Sequence, residues 1–240
     1  MTAIALATPL VTAPLVTAAR ALAERHLTGD RLLHTAGVAA AAGRLSGTLT
    51  DALEPARTTP ALSGETPRDA EGQLLVAAAW LHDIGYCDAA IDTGFHPIDG
   101  ARMLARLGWP ERMSALVAHH SGARFVARPK GLAAQLAGYP DECSALSEAL
   151  TYADQVTGAR GQPLPMVDRM ADMLRRHGPD SINAAVHHRR GPYLLAIADR
   201  VEARLRSAEQ PSWLGLSTRT LVTSTESQIL QRAMGREDTA

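Results

Sequence analysis

The chain has 240 residues, is 46% hydrophobic and 4% aromatic, and carries a formal net charge of -1. That is enough apolar chain to bury a sizeable core, most simply as one domain. The near-neutral balance excludes the broad basic field of a nucleic-acid binder, and two cysteines, Cys87 and Cys143, make no disulfide framework.

Strand patterning is nearly absent, and helical periodicity punctuated by Gly and Pro dominates. The opening stretch "MTAIALATPLVTAPLVTAAR" is apolar but lacks a basic leader region, and Pro9 and Pro14 interrupt it. It reads as an arm over residues 1–19, too broken for a membrane span. "TAARALAERHL" predicts a first helix. "GDRLLHTAGVAAAAGRL" predicts a second, with Leu33, Gly37 and Ala40 on one buried face. Residues 46–72 are rich in Pro, Thr and Gly and read as a loop. "LLVAAAWLHDIGYC" then gives a third helix, followed by "HPIDGARMLARLG" and "PERMSALVAHHSG", with Pro97 and Pro110 near first-turn positions. "DECSALSEALTYADQVTG" gives another, ending at Gly158. Beyond a core over residues 20–160, "PMVDRMADMLRRHG" and "PYLLAIADRVEARLRSAE" supply amphipathic helices over 161–209, and 210–240 form a polar tail that is loosely attached or disordered. The fold class is all-α, a helical bundle.

His34, His82, Asp83, His96, His119, His120 and Asp154 all lie within or at the edge of apolar helical segments. Each would need its own buried partner. A bundle core sharing one or two metal ions satisfies them together. Mixed nitrogen and oxygen donors suit Fe, Mn, Co, Ni or Zn rather than calcium.

The order His34, His82–Asp83, Asp154 resembles the HD-domain superfamily of metal-dependent phosphohydrolases. "RLLHTAGVA" resembles its Arg-x-x-His segment, "AAWLHDIGY" its apolar-HD-x-Gly turn and "TYADQVTG" its late Ala-Asp segment. The resemblance implies a helical bundle with the metal site in its core. "GFHPIDGARML" and "LVAHHSGAR" are similar to the extra histidine segments of the binuclear branches, which include HD-GYP phosphodiesterases and diadenosine-tetraphosphate hydrolases. That likeness assigns His96 and one of His119 and His120 to a second metal, with His120 the better overlay, and puts Arg124 beside the site. Position 86 departs from the pattern: it is Tyr, where HD-GYP proteins carry Lys and some mononuclear nucleotidases Glu. Tyrosine is a poor base at neutral pH. The glutamate and glycine-rich run of a cyclic-dinucleotide phosphodiesterase is also missing after the paired histidines.

The resemblance implies two divalent transition-metal ions, with Asp83 bridging them, His34, His82 and Asp154 on the first, and His96 and His120 on the second. Such ions acidify a water for in-line attack at phosphorus. Asp83, His120 and Arg124 would take part in catalysis, and Arg31, Arg124, His119 and Tyr86 would contact the substrate, a nucleotide or small phosphoester. Neither nucleic acid nor membrane is expected as a partner, and the compartment is expected to be cytoplasmic. Two other classes share the ligand order: mixed-valent di-iron oxygenases of the HD fold and non-catalytic nucleotide-binding HD modules. His177, His187 and His188 fall outside the resemblance, and "HHRRG" at 187–191 reads as a solvent-facing turn.

Overall fold

Helix α3 (Pro67–Leu81) is the axis of the bundle, and its small residues explain why. Ala77, Ala78 and Ala79 are fully buried, so neighbouring helices approach it closely. Helices α1 (Leu15–His26) and α2 (Gly29–Leu49) pack on it directly. The computed structural model describes residues 14–49 and 67–207. After α3 the chain makes a short 3-10 turn, Ile84–Tyr86, then α4 (His96–Arg106) and α5 (Glu111–His119), which pair with each other. A second 3-10 turn, His120–Gly122, leads into the short helices α6 (Ala123–Ala127) and α7 (Ala133–Leu136). Helix α8 (Ala145–Gln155) returns to the centre, and α9 (Met166–His177) and α10 (Ile182–Ser207) close one side.

Local chemistry sets several of these boundaries. Ser144 caps α8 reciprocally with Ser147: its hydroxyl accepts from the Ser147 backbone N–H at 3.1 Å, while the Ser144 N–H donates to the Ser147 hydroxyl at 3.0 Å. Pro97 sits in the first turn of α4, where its missing N–H costs nothing. The main core joins Leu45, Leu75, Leu81, Leu104, Met113, Leu150 and Tyr152 to Leu194, Ile197 and Val201 of α10. A smaller cluster of Phe95, Ile98, Ala118, Val126 and Leu136 fills the corner between α4 and α7. The described residues contain no strand, only an isolated bridge between Thr157 and Pro163, and no helix among them is long and apolar enough to cross a membrane.

Four expectations shift. The buried face of α2 carries His34, Val38, Ala42 and Leu45, whereas Leu33 is 51% exposed. The apolar stripe at i, i+4, i+8 and i+11 runs from His34, and Leu33 lies roughly 100° around the helix from it. Helix α1 begins at Leu15, inside the expected arm. Residues 46–49 and 67–72 are helical rather than loop; the rest of that stretch lies outside the described residues, as do 1–13 and the tail from 208. The start of α3 is held by a polar anchor that an apolar pattern cannot reveal: buried Glu71 receives Arg112 of α5 through two hydrogen bonds, at 2.5 and 2.8 Å. Finally, "HHRRG" is part of α10, which runs straight through Pro192.

The Glu71 anchor makes a prediction. Glu71→Ala should destabilise the protein by about 2–3 kcal/mol, because it leaves a partly buried guanidinium with only Glu142 as partner. Urea unfolding would read this as a lower midpoint; an unchanged midpoint would remove the anchor from the account.

Candidate metal centre

Three helices, and the turns that follow two others, bring six donors to one point. His34 comes from the second turn of α2, and Asp154 from the end of α8. His82 and Asp83 follow the last residue of α3, His96 opens α4, and His120 follows α5. Their donor atoms fall into two groups, His34–His82–Asp154 and Asp83–His96–His120, each with all atoms within 4.8 Å of one another. Asp83 faces both. Its Oδ2 lies 3.5 Å from His82 Nε2 and 3.8 Å from His34 Nε2, and its Oδ1 lies 3.3 Å from His96 Nε2 and 4.0 Å from His120 Nε2.

Close backbone approaches make this possible. A Cβ on Gly85 would stand 2.0 Å from the His96 carbonyl oxygen and 2.5 Å from the Gly100 nitrogen. Only glycine lets α4 come near enough to set His96 against Asp83. A Cβ on Gly37 would likewise meet the Gly161 backbone at 2.4 Å, in the loop whose Gly158 carbonyl holds His34. Gly85→Ala should therefore cost about 3 kcal/mol or more, since backbone must move. It should also lower metal content by displacing His96. Thermal unfolding and elemental analysis on the same sample would check both, and a stable variant with full metal would refute the steric argument.

Hydrogen bonds on the far side of each ring fix what the near side presents. His34 Nδ1 donates to the Gly158 carbonyl at 3.0 Å, His82 Nδ1 to Ala79 at 2.7 Å and His120 Nδ1 to Val117 at 2.6 Å. A carbonyl only accepts, so Nδ1 carries a proton on each ring and Nε2 is the atom turned toward the centre, a lone pair wherever the ring is neutral. Burial pushes His82 down to about 4 despite the nearby carboxylates, so it is neutral, and its buried Nε2 has no hydrogen-bond partner. Loss of water around His96 also holds it well below the ordinary histidine value. Burial opposes charge on His34, but the hydrogen bond and charge of Asp154 outweigh it and raise its pKa. For Asp83, burial is outweighed by the imidazoles and the Arg31 guanidinium, which hold the carboxyl below its usual range. Asp154 is likewise held down against burial, by its hydrogen bond to His34 and by the charges nearby. Inward lone pairs facing two carboxylates repel one another unless a cation lies between. The donor set fits divalent transition metal.

Residues beyond the donors orient them. Ser121 adopts a left-handed backbone (φ 52°) and is followed by Gly122 at φ 67°, which turns the chain sharply after α5. Its hydroxyl donates to Asp154 Oδ2, as does the Gln155 amide at 2.8 Å, leaving Oδ1 3.1 Å from His34 Nε2. Neither residue was singled out by sequence reasoning, although both adjoin a donor in the chain.

A cavity of about 650 Å³ opens on this point. Arg31 lies in its wall, with Nη1 donating to Asp83 Oδ2 at 2.5 Å and its guanidinium 3.9 Å from the Tyr86 ring. Tyr86 stacks on His96 with ring centres 4.0 Å apart. Partial burial and the Asp83 charge push its phenol up to about 12. Two expected substrate contacts lie elsewhere. His119 Nε2 donates to the Tyr139 carbonyl at 2.8 Å, and its Nδ1 is 3.7 Å from Asp141. Arg124 lies 4.5 Å over the Tyr193 ring and 3.9 Å from Asp141, outside the cavity lining. The turn at Ser121 separates Arg124 from His120, which faces the centre, while the His119 side chain is turned to Tyr139 and Asp141. Arg169 and Arg190, which sequence reasoning passed over, do line the cavity.

A family model for the HD domain matches residues 31–159. No curated protein and no solved structure matches the chain.

Proposed function

Because the chain belongs to the HD-domain family, which is mostly metal-dependent phosphohydrolases, we propose that it hydrolyses a nucleotide or small phosphoester with two divalent ions. One observation carries this reading: two donor groups share Asp83, whose separate oxygens face separate groups. His34, His82 and Asp154 would hold one ion and His96 and His120 the other. Divalent ions held there would supply an acidified water and offset charge at phosphorus.

The chain's own groups then position the ester. Arg31 holds Asp83 ionised and presents a cation to the cavity. Tyr86 stays protonated at neutral pH, so it donates a hydrogen bond to a substrate oxygen rather than acting as a base. Ser121 and Gln155 fix Asp154 by hydrogen bonding one of its oxygens. In the reaction a water oxygen bonds to phosphorus as the ester P–O bond breaks, and the departing oxygen takes up a proton.

The test is phosphate release from mononucleotides, dinucleoside polyphosphates and small phosphoesters by protein loaded with Mn, Fe, Co, Ni or Zn. Release that chelator abolishes is the expected result. Oxygen uptake with partly reduced iron and no phosphate would move the protein to the oxygenase class. Nucleotide binding without turnover would make it a binding module.

A further inference from the structure

Helices α9 and α10 lie beyond the segment matched to the family, yet each sends an arginine into the cavity wall. Arg169 and Arg190 are each only 9% exposed. The nearest acids to Arg169 are Asp154, 3.7 Å from Nη2, and Asp172, 4.0 Å from Nη1. Its Nε and Nη1 are buried without any hydrogen-bond partner. Asp172 is already engaged by Arg175 at 2.6 Å and Arg176 at 2.8 Å. Arg190 donates from Nε to the Ser121 carbonyl at 2.9 Å, and among the described residues no carboxylate lies within ion-pair distance of it.

Two guanidiniums so placed are costly. A buried charge without a full partner is strongly destabilising, and an arginine fork is shaped for two oxygens at once. The missing partner must reach them from the cavity. Both sit beside the metal centre: Arg169 is against Asp154, and Arg190 holds the carbonyl of Ser121, whose hydroxyl binds Asp154. We propose that Arg169 and Arg190 form an oxyanion subsite for the terminal phosphoryl group of a phosphomonoester, delivered to the centre by α9 and α10. This rests on the phosphohydrolase reading and narrows it. A terminal phosphoryl carries about 1.5–2 negative charges at neutral pH, against one for a diester, and so matches two cations.

Calorimetric titration of the metal-loaded protein with inorganic phosphate and with dimethyl phosphate tests this, together with elemental analysis. Phosphate should bind the wild type at least tenfold more tightly than dimethyl phosphate. Arg190→Met and Arg169→Gln should each weaken phosphate binding tenfold or more while metal content stays unchanged. Arg190→Met should also keep or raise the thermal midpoint of the phosphate-free protein, which loss of a purely structural arginine would lower. If Arg190→Met does not fold, Arg169→Gln alone decides. Unchanged phosphate affinity in the folded variants, or equal affinity for the two anions, would overturn the subsite. Arginine-dependent phosphate binding with no phosphate released from any ester would instead overturn the hydrolase reading and leave the subsite standing.

Discussion

Alanine at Asp83 should leave the protein without tightly held metal and lower turnover by about 10³-fold or more, the scale of losing a group that acts on developing charge. Asp83 is the one donor whose two oxygens face the two groups separately, so its loss weakens both positions at once. It also releases Arg31, whose positive charge then stands uncompensated beside any incoming cation. The Arg31 side chain is 34% exposed and can turn to water, so the fold should survive. Elemental analysis of a variant with native circular dichroism reads the effect. Full metal stoichiometry in that variant would take Asp83 out of the centre.

The second large effect separates one ion from two. His96→Ala and His120→Ala should each lower metal content from about two ions per chain toward one and cost most of the activity, because the position they complete is lost. His119→Ala should leave metal content intact and turnover within about twofold, losing one hydrogen bond to the Tyr139 carbonyl worth roughly 1 kcal/mol of stability. The three variants belong in one experiment. A damaging His119→Ala with a silent His120→Ala would mean that the wrong neighbour had been assigned. If neither His96 nor His120 affects metal content, the centre holds a single ion.

The donors were legible because each is a costly group at the edge of an apolar helix, and such groups must share something. Helix placement followed from periodicity, and Gly85 from its place after the His-Asp pair. Other parts were hidden for physical reasons. Arg169 and Arg190 sit on amphipathic helices, where an arginine ordinarily faces water, and only the packing of α9 and α10 shows that they turn inward. "HHRRG" reads as a turn and Pro192 as the first residue of a helix, yet α10 runs through both. The family resemblance puts Arg124 beside the site and leaves His119 next to a donor in the chain. The left-handed turn at Ser121 carries Arg124 away from His120, and His119 is engaged by the Tyr139 carbonyl instead. Glu71 could not be seen as an anchor because its partner, Arg112, is 41 residues away.

The meeting of His34 with Asp154 joins points 120 residues apart in the chain. Closing a loop of that length costs an unfolded chain about 4 kcal/mol of entropy, so the full donor set exists only after folding is nearly complete. A ligand that binds the native state alone adds stability in proportion to the logarithm of its supply, about 2.7 kcal/mol at a hundredfold excess over its dissociation constant. The centre is therefore also a clasp. In a cell short of transition metal, the protein would open more often, meet proteases sooner and decline in abundance before its chemistry was ever limited by substrate.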